Sequence, residues 1–328
     1  MPGSDLMQAE ADTTPTTDAD RGRLVRSAST ASVAVAALLV GLKTWAWLDT
    51  GSVSLLSSLA DSLLDVAASL LTFWAVRFSL SPPDAEHRFG HGKSEGLAAL
   101  LQALVIGGSG LFVCVQAVDR LIRPVPIQSP AIGIGVVLVA TVLSLALVAY
   151  QRWVTKRTGS VAIEGDSLHY GSDVAVNLSV AAAIFLVTVT GWNAIDPLTG
   201  LAVALWIFYS SWQLGGRALD ILLDREIPDA DRDRIRAIAL DHPDVIGVHD
   251  LRTRHGGANF IVQFHLDLER DTSLVRAHEI QDEVEDRIRA EYHGCEIIIH
   301  VDPCGIDERR DRFEEEAKGR SSAASTGR

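Results

Sequence analysis

The chain has 328 residues, 48% of them hydrophobic, a formal net charge of −13 and three cysteines. The acidic balance argues against nucleic-acid binding. Cys114, Cys295 and Cys304 form no C-x-x-C pair and imply no disulfide framework, which places the soluble part in a reducing compartment.

Residues 1–20 are polar, acidic and aperiodic, and read as a disordered tail. They lack a basic start followed by an apolar run, so no cleavable signal peptide is expected. From about Ser27 to Leu223 the chain is dominated by Ala, Val, Leu, Ile, Gly and Ser. Six spans of about bilayer length follow one another at roughly 28–48, 53–80, 95–121, 131–150, 161–190 and 198–222. Lys43 lies near the far end of the first, with Trp45 and Trp47 beside it, where it is expected to snorkel to the interface. A polar loop at 81–93 joins the second and third spans. Gly107, Gly108 and Gly110 read as a helix-packing face rather than a phosphate loop. The Arg123-Pro-Val-Pro126 stretch breaks the chain after the third span, and Gln151–Arg157 reads as a basic loop after the fourth.

Basic residues set the orientation. With the N-terminus inside, Arg21, Arg23, Arg26, Arg77, Arg88, Lys93, Arg152, Lys156, Arg157, Arg217 and Arg225 fall on the inner side, and only Arg120 and Arg123 on the outer side. Both termini are then cytoplasmic.

Asp61 and Asp65 lie within the second span and His169 and Asp173 within the fifth, each pair four residues apart and so on one helix face. A charged side chain at mid-bilayer costs about 2.5–3.5 kcal/mol on insertion scales, so such groups are functional candidates. At 1.5 Å per residue the pairs straddle the midplane on antiparallel helices, Asp65 level with His169 and Asp61 level with Asp173. Three carboxylates and one imidazole suit a tetrahedral divalent transition metal; the plainer alternative is polar glue between helices. Asn177, one turn beyond Asp173, is either a support for this site or packing. In the loop, Asp84, His87 and His91 have the spacing of a second metal site or of a merely solvated segment.

From Asp224 the composition is that of a soluble domain. A helix at 228–240, strands at 245–254 and 259–268 forming a hairpin, a helix at 274–292 and a strand at 295–301 give the order αββαβ, which suits a ferredoxin-like half-sandwich. His249, His265, His278, His300 and Asp302 either cluster on one sheet face or are scattered surface groups. Residues 307–328 are charged, then Ser/Ala-rich, and read as disordered. The domain reading is a tail at 1–20, a six-helix transmembrane domain at 21–223, a cytoplasmic α+β domain at 224–306 and a second tail at 307–328.

Seven stretches together resemble the cation diffusion facilitator family, in its bacterial ferrous-iron efflux branch: A-D-S-L-L-D at 60–65, H-R-F-G-H-G-K at 87–93, Q-R-W-V at 151–154, D-x-L-H-Y-x-S-D at 166–173, L-L-D-R at 222–225, H-D-L-R-T-R at 249–254 and I-I-I-H-V-D-P at 297–303. They run in order over about residues 24–305. The resemblance implies a homodimeric metal/proton antiporter of the bacterial inner membrane. It matches Asp61, Asp65, His169 and Asp173 to the transport site and Asp84, His87 and His91 to the loop site. His249, His265, His278, His300 and Asp302 match a binuclear cytoplasmic site that holds structural Zn²⁺, with Asp302 bridging. Lys93 and Asp224 match a hinge salt bridge. Val301 stands where relatives carry Gln, which removes a ligand if that position acts through its side chain.

The expected function is export of divalent cations, chiefly Zn²⁺ with Cd²⁺, Fe²⁺ or Mn²⁺ as alternatives, in exchange for protons and without covalent chemistry. A metal-sensing membrane scaffold and an intramembrane aspartyl protease are the rivals. The first leaves the intramembrane groups unused, and the second needs no matched His-x-x-x-Asp.

Overall fold

Uninterrupted runs of small and aliphatic residues propagate helices until a glycine or proline stops them. A computed structural model describes residues 18–51, 53–123, 131–192, 194–256 and 260–305, and the chain divides after Leu222 into two units. The first consists of six long helices: α1 (Asp18–Thr50), α2 (Val53–Ser79), α3 (Ser94–Ile122), α4 (Ala131–Thr158), α5 (Val161–Thr190) and α6 (Ile195–Leu222). Most of the expected tail at 1–20, the whole of the one at 307–328, and the Pro-Val-Pro break lie outside the described residues, but Asp18–Asp20 already belong to α1.

One boundary differs from expectation for a physical reason. Gln151–Arg157 is not a loop: no Gly or Pro interrupts it, and α4 continues to Thr158, where Gly159 at φ +64° turns the chain. Among the described residues five helices, α1 to α5, are long and apolar enough to cross a membrane. The expectation of six apolar spans is met for those five. In α6 the run Trp206 to Gln213 mixes two Trp, a Tyr, two Ser and a Gln into the apolar residues.

The unit is apolar outside and small or polar inside. Leu64, Trp74, Leu104, Phe112, Val142, Phe185 and Trp212 are exposed, whereas Ser32, Ser62, Ser69, Thr72, Gln102, Gln151 and Asp166 are buried. That inversion is what a lipid-facing bundle requires, because association there depends on close packing and interhelical hydrogen bonds. The glycines of α3 show it. A Cβ on Gly110 would stand 2.8 Å from Ile207 Cγ2 of α6, and one on Gly107 3.0 Å from Ser211 Oγ. At one end of the bundle Glu95 of α3 gathers three neighbours. Arg21 of α1 reaches its Oε1 at 3.2 Å, Ser79 of α2 donates to Oε1 at 3.3 Å, and Ser160 of α5 donates to Oε2 at 2.6 Å. Arg21 Nε also donates to the Thr158 carbonyl of α4 at 3.0 Å. This buried pair fixes the ends of five helices relative to one another.

The second unit has α7 (Asp229–Leu240), β1 (Gly247–His255), β2 (Phe260–Leu268), α8 (Leu274–Glu291) and β3 (Glu296–Pro303). Its sheet has the order β1-β2-β3, with β1 and β2 antiparallel and β2 and β3 parallel. Val262, Phe264, Leu266, Ile297 and Ile299 join Ile235 of α7 and Ile280, Val284 and Ile288 of α8 in one core. The period-2 alternation of the strands puts Gln263, His265, His300 and Asp302 on the other sheet face.

Candidate metal centres

Three groups of potential ligands come together among the described residues, one in the helical bundle, one in the loop before α3 and one on the sheet.

In the bundle, Asp65 of α2 and His169 and Asp173 of α5 each offer a donor atom, all within 4.8 Å of one another. His169 Nε2 lies 3.1 Å from Asp65 Oδ1, and the imidazole is buried. Asp61 stands outside this group, exposed and a turn away on α2. Four residues of helix put it about 6 Å along the axis from Asp65, while both α5 ligands converge at the level of Asp65. Three of the four expected residues are therefore assembled. Lys43 also departs from expectation. Instead of snorkelling outward, its Nζ donates to the Ser58 carbonyl at 3.1 Å and to Ser62 Oγ at 2.6 Å, beside the aspartates of α2. Asn177 turns to Thr141 of α4, 3.5 Å away.

In the loop, Asp84 Oδ1 accepts the backbone N–H of His87 at 2.6 Å and of Glu86 at 2.9 Å. The His87 N–H, followed by the smaller influence of the others, holds this carboxyl below the usual carboxylate range. His87 Nδ1 is 3.3 Å from Asp84 Oδ1, and His91 Nε2 is 3.3 Å from Asp84 Oδ2. His91 is buried against Phe78, with ring centroids 4.3 Å apart, and neither of its ring nitrogens has hydrogen-bond geometry to any partner. Two orphaned nitrogens on a buried imidazole are costly unless something else takes them.

On the sheet the register does the assembly. His249 of β1 pairs with His265 of β2, and His265 with His300 of β3, so three imidazoles form one row across the strands. Asp302, two residues on from His300, shares their face. Its Oδ2 is 2.7 Å from His265 Nδ1 and 3.8 Å from His249 Nε2, and its Oδ1 is 3.1 Å from His300 Nε2. A bulge after His249, with Asp250 at φ +49°, restores the core-facing side to Leu251. Val301 packs against the hydrophobic core, on the opposite face from His300 and Asp302, so its side chain is not a ligand. His278 is exposed on α8, 3.7 Å from Asp282, and does not join the row within one chain. Each partner of the expected hinge pair has a contact in its own unit: Lys93 Nζ donates to the Leu222 carbonyl at 3.5 Å, and Asp224 Oδ2 is 3.9 Å from Arg254.

Asp166, the first residue of the 166–173 motif, is fully buried on α5 beside the bundle ligands without being one of them. Its spacing of three to His169 puts a third ionisable group on that face of α5.

The family description "Cation efflux transmembrane domain" matches residues 29–223, and "Cation efflux protein, cytoplasmic domain" matches residues 227–304. The chain is 45% identical over 291 residues to the cation-efflux pump FieF of Salmonella choleraesuis strain SC-B67, and equally to those of Salmonella newport strain SL254 and Salmonella typhimurium strain LT2. Each alignment covers 89% of this chain and 97% of the relative. Solved chains of CzrB, one in a Zn form, are 34% identical with TM-scores of 0.24 and 0.25; they cover 24% and 26% of this chain and 99% of their own, a likeness too partial to bear on the whole fold. The chain belongs to the cation efflux family, the cation diffusion facilitators of the FieF type, and is a membrane transporter for metal cations.

Proposed function

We propose that this transporter is a proton-coupled antiporter that exports divalent transition-metal ions, Zn²⁺ foremost, across the bacterial inner membrane by alternating access. The observation that carries the reading is the meeting of Asp65, His169 and Asp173 within 4.8 Å inside a bundle of membrane-crossing helices. Carboxylates and imidazole bind Zn²⁺ only when deprotonated, so capture of the ion releases protons and protonation expels it. Asp61 completes the set as fourth ligand when its carboxylate swings toward α5. Cd²⁺, Fe²⁺ and Mn²⁺ are the competing cargoes, since ligand type alone does not separate them.

The rest of the reading is built around that site. All six long helices span the bilayer, with residues 21–223 as the transport domain and both termini cytoplasmic. The unit at 224–306, ferredoxin-like in kind, forms a homodimer, which the match to a dimerising cytoplasmic domain supports. His249, His265, His300 and Asp302 fit a structural zinc site. Three imidazoles surrounding one carboxylate form a nitrogen-and-oxygen donor set on three strands, and a bound Zn²⁺ would cross-link them. The orphaned nitrogens of His91 likewise favour a metal at Asp84, His87 and His91. Lys93 and Asp224 serve as the charge pair about which the protomers pivot. The test is uptake by proteoliposomes loaded with a metal indicator and a pH dye. Zn²⁺ movement accompanied by opposite proton movement supports the reading, and Zn²⁺ uptake without proton movement refutes the antiport.

A further inference from the structure

Asp166 is fully buried on α5 and is not among the metal ligands. Four helices supply its surroundings. Ser32 of α1 donates its hydroxyl to Asp166 Oδ2, and Gln151 Nε2 of α4 donates to the same oxygen at 2.6 Å. Ser32 Oγ is 3.2 Å from Ser69 Oγ of α2, which is 2.9 Å from the Tyr170 hydroxyl of α5. All these side chains are buried. The titratable groups that face Asp166 are His169 and Tyr170 from its own helix and Asp65 from α2, while α1 and α4 present Ser32 and Gln151.

The cluster is incomplete in a specific way. Asp166 Oδ1 and Gln151 Oε1 are both buried, both acceptors, and neither receives a hydrogen bond. Among the described residues, the hydrogen-bond donors to the carboxylate are a neutral hydroxyl and a neutral amide, with no Lys or Arg among them. A buried carboxylate without a countercharge is penalised by several kcal/mol. What the cluster lacks is one positive charge. With a single anionic ligand it is a poor divalent-metal site, whereas a proton supplies that charge and occupies almost no space.

We propose that Asp166 is a proton-carrying site, separate from the metal ligands, that contributes one proton to each exchange cycle. This rests on the antiport reading above. With the start of α5 at the cytoplasmic side, Asp166 lies about 4.5 Å nearer the cytoplasm than His169. A divalent ion arriving at Asp65, His169 and Asp173 repels the acid proton, so the carboxylic acid ionises and gives its proton to the cytoplasmic side. When the ion leaves outward, the carboxylate takes up a proton again, and no bond between Asp166 and the metal is made. The hydroxyls of Ser32, Ser69 and Tyr170 link the carboxylate to the neighbourhood of His169, whose ring stands edge-on to Tyr170 with centroids 5.7 Å apart.

Zn²⁺-induced infrared difference spectra of the full-length protein in lipid vesicles, combined with a count of protons released per Zn²⁺ bound, test this in the wild type and in Asp166→Asn. The expected result is a carboxylic-acid carbonyl band that Zn²⁺ removes in the wild type and that Asp166→Asn lacks, with one proton fewer released and Zn²⁺ affinity unchanged. The same band and the same proton count in Asp166→Asn overturn the proposal while leaving antiport intact. Wild-type vesicles that move Zn²⁺ without protons overturn the antiport reading instead, together with any role of Asp166 in it. If Asp166→Asn does not assemble, Ser32→Ala keeps the carboxyl but removes a hydrogen bond. The band must then persist at a shifted frequency, and an unshifted band overturns the assignment, as does a band that responds to Na⁺ at constant pH.

Discussion

Asp65 and His169 are 104 residues apart in the chain, yet their Oδ1 and Nε2 atoms are 3.1 Å apart in the bundle. The contact joins α2 to α5 at the one level where α5 also presents Asp173. It places the two aspartates of α2 unequally, since Asp61 stands a turn away.

That inequality is measurable. Asp65→Ala is expected to weaken Zn²⁺ binding at the intramembrane site by more than the roughly 10–100-fold that losing a supporting partner costs, and Asp61→Ala by less than Asp65→Ala. Equilibrium titration of each variant in detergent, carried out with His265→Ala in the background to silence the sheet site, separates them. Equal losses would show that the two carboxylates ligate alike.

The loop makes a prediction about the protein without metal. His91 is buried and neither ring nitrogen meets hydrogen-bond geometry, so His91→Phe removes unsatisfied polar atoms and keeps a ring against Phe78. Thermal stability in chelator is expected to change by less than about 1.5 kcal/mol, as for volume-conserving exchanges. The added stability that Zn²⁺ confers on the wild type should shrink, and a full Zn²⁺ response in His91→Phe would remove His91 from the loop site.

Close approach of α3 and α6 is expected to tolerate no added methyl. In Gly110→Ala the new Cβ meets Ile207 Cγ2 at 2.8 Å, and overpacking of that kind costs about 1–3 kcal/mol. Unfolding in mixed micelles measures it. Gly108→Ala is the control, because nothing lies within 4 Å of its position.

In the second unit, the hydrogen bond from His242, and then that from Arg276, hold Glu283 below its ordinary value of 4.5. His242 Nε2 is 2.7 Å from Glu283 Oε2. A depressed folded-state value means that the ionised carboxylate stabilises the fold above the unfolded value, and that this contribution disappears as pH falls through the folded one. Calorimetry of the solubilised protein should show the transition of this unit dropping as pH is lowered past about 4.5. Glu283→Gln should flatten the drop, and an identical pH profile in the variant would exclude the linkage.

Much of the architecture was legible before any coordinates. The bounds of α2, α3 and α5 follow from apolar run length, because the bilayer demands about twenty such residues and Gly191, at φ +71°, closes α5. The αββαβ order of the second unit follows from period and turn residues alone. Gln151–Arg157 was misread because charge on a helix surface looks like charge in a loop; only the lack of a breaker before Gly159 distinguishes them. The intramembrane pairs were visible as residue types at four-residue spacing, a local property of one helix.

The sequence by itself determined which groups are expensive enough to matter: carboxylates and an imidazole within apolar helices, and histidines on alternating strands. Only the tertiary structure decided which of them meet. Helix rotation and depth select Asp65 over Asp61, strand register aligns His249, His265 and His300 while pointing Val301 into the core, and four-helix packing encloses Asp166 with one oxygen bare. These outcomes depend on contacts between segments far apart in the chain, and local periodicity carries no information about rotation or register between them.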